Sequence, residues 1–159
     1  MCLTVQKDQK IKTATEDIYV LKYLHISKDA IRSPFNSYHW KLGAEQPVVK
    51  LHKAMSYWHD DGTRSINEGY YSWDVNKVQG QVFKGEEVFL CKIPKGTRYY
   101  TDCRSAQVCA EQLVVVEHIY STKGIKAKNH EVISNRLSYE QRLRLIKKML
   151  DSYELNTKL

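Results

Sequence analysis

An α+β fold, a mostly antiparallel twisted sheet with a C-terminal amphipathic helix packed on it, is what this sequence predicts, and three observations carry the expectation. Short runs rich in Val, Ile, Tyr and Leu recur along residues 1–121, separated by Gly, Pro and Asp-Gly breaks, as strands are. The run EQLVVVEHIY at 111–120 is apolar at successive positions, so both faces of its strand are expected to be covered. Beyond residue 137 the apolar spacing changes to three and four, the period of a helix.

Residues 16–26 (EDIYVLKYLHI) contain neither Gly nor Pro and read as a long strand, with Ile18, Val20, Leu24 and Ile26 on one face and Tyr19, Leu21, Tyr23 and His25 on the other. Neither face is polar throughout, so cover on both sides is expected. Ser33-Pro34 breaks the chain, and residues 36–42 (NSYHWKL) alternate aromatic and polar groups as a half-exposed strand does. Residues 47–55 (PVVKLHKAM) fit strand and helix equally. The Asp61-Gly62 turn within HDDGTR separates Tyr57-Trp58 from the cluster Tyr70-Tyr71-Ser72-Trp73. Residues 86–93 (EEVFLCKI) are a strand by pattern, and after Pro94-Lys95-Gly96 residues 97–101 are expected to return beside it as a hairpin. Residues 111–120 are expected in the middle of the sheet, with Val114, Val115 and Val116 in its interior. For the helix, Ser138 and Gln141 fit a capping box, and Tyr139, Leu143, Ile146, Leu150 and Tyr153 make one apolar stripe.

With 159 residues, 42% of them hydrophobic, the chain suits a single domain with its own core. It divides into a strand-rich body (1–121), a basic connector (122–137) and a C-terminal helix (138–155). The apolar run at 113–116 is far below the roughly 20 residues that span a bilayer, and residues 1–12 are too polar for a secretory leader. A cytoplasmic location without membrane contact is therefore expected. The net charge of +7 is concentrated: residues 122–148 hold eight Lys and Arg against two Glu. Arg142, Arg144, Lys147 and Lys148 are thus candidates for contacts with phosphates or acidic protein, against the plainer reading of a solvated helix face.

Chemistry is sparsely written. Seven scattered glycines leave no phosphate-cradling loop. Cys2, Cys91, Cys103 and Cys109 form no C-x-x-C pair and read as free thiols, with one disulfide as the alternative. His59-Asp60-Asp61 reads as a polar turn before a metal site, and a Cys109/His118 dyad as two unrelated residues. No cofactor and no metal are expected. Trp40, Tyr57, Trp58, Tyr70, Tyr71 and Trp73 stand in polar surroundings and are candidate binding residues that could stack on a partner, or else simply fill a small core.

The blocks MCL, IYVLKYL, SPFNSYHWKLG, NEGYYSW, VFLCKIPKGTRYYT and AEQLVVVEHIY follow one another in an order that resembles a group of short uncharacterised proteins of tailed phages and Bacteroides-like gut bacteria. The likeness covers about residues 1–121. It implies a shared fold and a phage setting, without an activity. A second resemblance is to ADP-ribosyltransferases, whose catalytic glutamate precedes a hydrophobic strand as Glu111 does here. The sequence departs from them in having no Ser-Thr-Ser motif and no NAD-binding context on the first strand beyond His25. The leading expectation is a non-enzymatic phage-type accessory or virion protein of the host cytoplasm, acting as a protein-binding module with a protein partner or by self-assembly. Nucleic-acid binding through the basic helix is the alternative. A nucleotide-signal-binding anti-defence protein, or a degenerate transferase with Glu111 as its weak catalytic candidate, is the third.

Overall fold

A computed structural model describes residues 3–28, 30–34, 38–51, 56–78, 87–121 and 138–159. The expected connector at 122–137, Cys2, residues 36–37 and 52–55, and the side chains of Tyr57, Trp58, Tyr139 and Arg142 lie outside the described residues. The described elements are β1 (Leu3–Gln6), β2 (Lys12–Thr13), β3 (Ile18–Ser27), β4 (Ala30–Arg32), β5 (His39–Trp40), β6 (Ser56–Trp58), β7 (Thr63–Ile66), β8 (Tyr70–Trp73), β9 (Glu87–Ile93), β10 (Arg98–Thr101), β11 (Gln107–Ala110), β12 (Val114–Tyr120) and α1 (Tyr139–Ser152). A large sheet runs in the order β12-β9-β3-β8-β11-β10-β2, with β4 and β5 continuing from the far end of β3, and a small sheet runs β1-β7-β6. Each pairing is antiparallel. The predicted class, an antiparallel sheet carrying a C-terminal helix, is the observed one.

Period-two alternation explains how the layers stack. One face of the large sheet turns Ile18, Val20, Leu24, Phe89, Cys91, Val108 and Ala110 into a core that Trp40 and Ile31 of β5 and β4 help to cover. The other face divides in two. Its β12-β9-β3 half carries Leu21, Val88, Leu90 and Ile119 against Ile146 and Leu150 of α1, while its β8-β11-β10 half carries Tyr71, Cys109 and Tyr100 against Leu3, Val5 and Ile66 of the small sheet. The long strand β3 is accordingly covered on both sides, as its mixed faces predict.

Three expectations about the sheet need correction. The valine-rich strand is not central: β12 stands at the end of the sheet and pairs, among the described strands, with β9 alone. Its faces are nevertheless buried because layers cover both sides of the sheet's end. Its free edge is partly occupied by segment 43–49, where Gly43 N–H donates to the Val115 carbonyl at 2.7 Å and Val49 N–H to the Glu111 carbonyl at 3.0 Å. Val116 is not interior either. The ladder passes from Val115↔Cys91 to Glu117↔Leu90, which leaves Val116 as the extra residue of a bulge, 37% exposed. The 97–101 hairpin is also absent: β10 pairs β11 and β2, not β9. The turn at 94–97 is captured elsewhere, since Gly96, at φ 85°, donates its N–H to the Ala14 carbonyl at 2.8 Å, and Ala14 N–H donates to Thr97.

The helix starts as predicted. Ser138 Oγ accepts from Gln141 N–H at 3.2 Å, and Gln141 Oε1 accepts from Ser138 N–H at 2.8 Å, the two halves of a capping box. Leu143, Ile146 and Leu150 pack on the sheet. Tyr153 does not, because α1 ends at Ser152 and leaves it as a 49% exposed cap, so Leu155 closes the stripe instead. The residues beyond bind the body: the Asn156 carbonyl accepts from Tyr19 N–H at 2.8 Å, and Leu159 reaches the opposite core.

Candidate functional site

The aromatic candidates divide between three environments. Along β8 successive side chains point to opposite faces, which sends Tyr70 one way and Tyr71 and Trp73 the other. Trp40, 5% exposed, donates its indole N–H to Ser33 Oγ at 2.8 Å and meets Tyr38 and Tyr70 edge-on, with centroids at 5.2 and 5.6 Å. Tyr70 donates its hydroxyl to the Pro47 carbonyl at 2.5 Å, and burial pushes its phenol up to about 12. Tyr71 donates to the Ile66 carbonyl at 2.8 Å within the core under the small sheet. Trp73 tilts against Tyr23 at 5.8 Å beside the helix core. The four described rings therefore do not share one surface; they pack in or against three cores, and Trp40, Tyr70 and Tyr71 spend their polar hydrogens on a serine hydroxyl and two main-chain carbonyls.

Glu111 is buried and fully engaged. Arg98 grips its carboxylate through two bonds, Nη2 to Oε1 at 2.7 Å and Nε to Oε2 at 3.2 Å, and Leu51 N–H donates to Oε1 at 3.1 Å. Together with Val49 N–H on the Glu111 carbonyl, these bonds fasten segment 43–51 along the entrance to β12. His59 Nε2 lies 2.7 Å from Ser65 Oγ. Asp61 accepts from the Thr63 hydroxyl at 2.6 Å and the Thr63 N–H at 3.0 Å and pairs with Arg104; the Thr63 bonds chiefly hold its carboxyl down at about 2. The expected polar turn is there, joining β6 to β7. Cys109 and His118 face different layers: the thiol donates to the Glu68 carbonyl at 2.9 Å, and burial pushes it up to about 12, whereas His118 stacks on Phe89 and contacts Glu87 at 3.0 Å. Among the described residues no three His, Cys, Asp or Glu side chains gather as metal ligands, and no helix is long and apolar enough to cross a membrane.

The outer face of α1 is open to solvent. Gln141, Arg144, Leu145 and Lys148 fall at i, i+3, i+4 and i+7, one side of a helix. They line a shallow groove of about 330 Å³. Arg144 and Lys148 are exposed, Leu145 between them is 39% exposed, and Lys147, nearer the sheet, is half-buried. Two of the four predicted basic residues thus flank a leucine that the stripe reading overlooked. Its signal is a leucine about 100° from Ile146 and about 140° from Leu150 on the helical wheel, outside the buried stripe.

The described residues define an antiparallel α+β protein that carries a half-exposed leucine between two exposed cations on the outer face of its helix. No protein-family model, curated protein or solved structure matches the chain.

Proposed function

We propose that this protein is a binding module that docks a protein partner on the outer face of α1, as an accessory or virion protein of a tailed phage. The observation that carries the reading is the exposed Leu145 set between Arg144 and Lys148. An apolar anchor rimmed by cations suits an acidic protein surface, where the leucine is desolvated and the charges set orientation. Among the described aromatics, Trp40, Tyr70, Tyr71 and Trp73 pack in or against three different cores, which argues against one shared stacking surface, and the engagement of Glu111 by Arg98 and Leu51 argues against a catalytic carboxylate.

A photo-crosslinking residue at position 145 in cells that make the protein tests this. One discrete protein adduct is expected, lost on Arg144→Glu with Lys148→Glu, and not seen with the same probe at exposed Lys95. Adducts equal at both positions would end the reading.

Nucleic-acid binding is the second reading, favoured by Arg144 and Lys148 standing exposed one turn apart. Contacts by Arg142, Arg144, Lys147 and Lys148 to duplex DNA would give a log–log salt slope of about −3 to −4. No binding at low salt removes this option.

A further inference from the structure

The register that joins β3, β4 and β5 lines up basic side chains. Ile26, Ile31 and Trp40 stand opposite one another and turn into the core, so the neighbouring row, His25, Arg32 and His39, turns to the other face of the sheet. Directly opposed side chains on adjacent strands stand about 4.5–5.5 Å apart at Cβ, which sets Arg32 between two imidazoles. His25 and Arg32 are half-buried and His39 is exposed, so the row is within reach of solutes. Residues 25–41 carry Lys28, Arg32 and Lys41 against the single acid Asp29, which lies outside the described residues. Lys28, in the turn before β4, and Lys41, next after β5, are both exposed.

An arginine in cross-strand register is stabilised by an opposed carboxylate and not by further basic groups. Among the described residues Arg32 has no ion pair, and its Nε is shut away from solvent without a hydrogen-bond partner. A buried donor left without an acceptor is costly. The guanidinium is therefore held in place with its donors uncommitted, an arrangement that suits an acceptor from outside the chain.

We propose that the row binds a dianionic phosphate group, free or at the end of a small monoester. A guanidinium meets an oxyanion through two parallel N–H···O bonds, which would occupy both oxygens of a carboxylate. A phosphate has oxygens left over, and an imidazole N–H on either side can donate to them. The dianion also offsets the repulsion within the row, while Lys28 and Lys41 attract it as point charges. The row is only three strands, or about 10 Å, from end to end. A monoester places up to about two charges in so small a space, where a phosphodiester of a nucleic acid places one.

Proton–nitrogen NMR of the intact protein, titrated with inorganic phosphate and with glycerol phosphate at neutral pH and constant ionic strength, tests the site. Saturating shifts of the Arg32 Nε–Hε signal and of the backbone amides of His25, Arg32 and His39 are expected, the tighter of the two ligands naming the source. Arg32→Gln should weaken binding at least about tenfold, and Arg32→Lys, which keeps the charge but not the fork, should not restore it. His39→Ala, at an exposed position where folding is not at stake, should weaken it about threefold. Shifts that rise without saturating, that sodium chloride or acetate reproduces, or that persist unchanged in Arg32→Gln or His39→Ala overturn the assignment.

Discussion

Ile146→Ala removes three carbons from a side chain with no solvent exposure, packed among Leu21, Val88, Leu90, Ile119 and Tyr120. The lost transfer energy is about 2.4 kcal/mol at roughly 0.8 kcal/mol per methylene. A cavity left between helix and sheet adds to it, partly relieved because a surface helix can settle inward, so about 3 kcal/mol is expected. Leu145→Ala, one residue away on the 39% exposed side, should change stability by less than about 0.5 kcal/mol. Urea unfolding followed by far-UV circular dichroism measures both, and an unchanged m-value shows that the same body unfolds in each variant. Equal effects of the two substitutions would refute the reasoning, because a helix that does not dock has no inner side to lose.

Glu111→Ala leaves the Arg98 guanidinium and the Leu51 N–H without their acceptor, and should cost about 2–3 kcal/mol by thermal unfolding, the partial exposure of Arg98 keeping the loss below that of a fully buried pair. Gly69→Ala would set a Cβ 2.5 Å from Cys109 Sγ and 2.6 Å from Leu51 Cδ2 at φ 107°, and a loss of at least about 2 kcal/mol is expected in the same assay. Stability should also peak near pH 9. Desolvation makes folded Lys22 give up its proton at about 8 whereas the unfolded chain keeps it to 10.5, so stability rises with pH from about 8 by up to about 1.4 kcal/mol per pH unit. Cys91 and Cys109 act oppositely: unfolded thiols ionise at 9.0 but the buried folded ones only at about 12, so above pH 9 two losses outweigh one gain. Urea midpoints between pH 7 and 10.5 read the peak, and Lys22→Met should abolish the rising limb.

Local pattern and tertiary pairing were legible to different degrees. β3 and β9 could be read because runs rich in β-branched and aromatic residues, without Gly or Pro inside them, express a local preference, and the Ser138/Gln141 cap because both halves lie within one turn. The position of β12 could not. Burial on both faces does not distinguish a central strand from an end strand covered by other layers, and the bulge at Val116 depends on register with β9. The missing hairpin had a similar cause: Pro94-Lys95-Gly96 signals a turn but not its partner, which is Ala14, some eighty residues away. Among the site residues, Arg144 and Lys148 were visible as cations outside the apolar stripe. The aromatics misled because a ring's sequence neighbours are polar on alternate positions of any half-covered strand. The row of His25, Arg32 and His39 left no signal, because its members meet only through the register of β3, β4 and β5.

α1 is held by its inner face and open on its outer one. Amide hydrogen exchange on the intact protein tests this directly. The amides of residues 146–150 should exchange as slowly as those of β3 and β9, since undocking the helix would open the core beneath it. Rapid exchange throughout α1 beside a protected sheet would contradict the account.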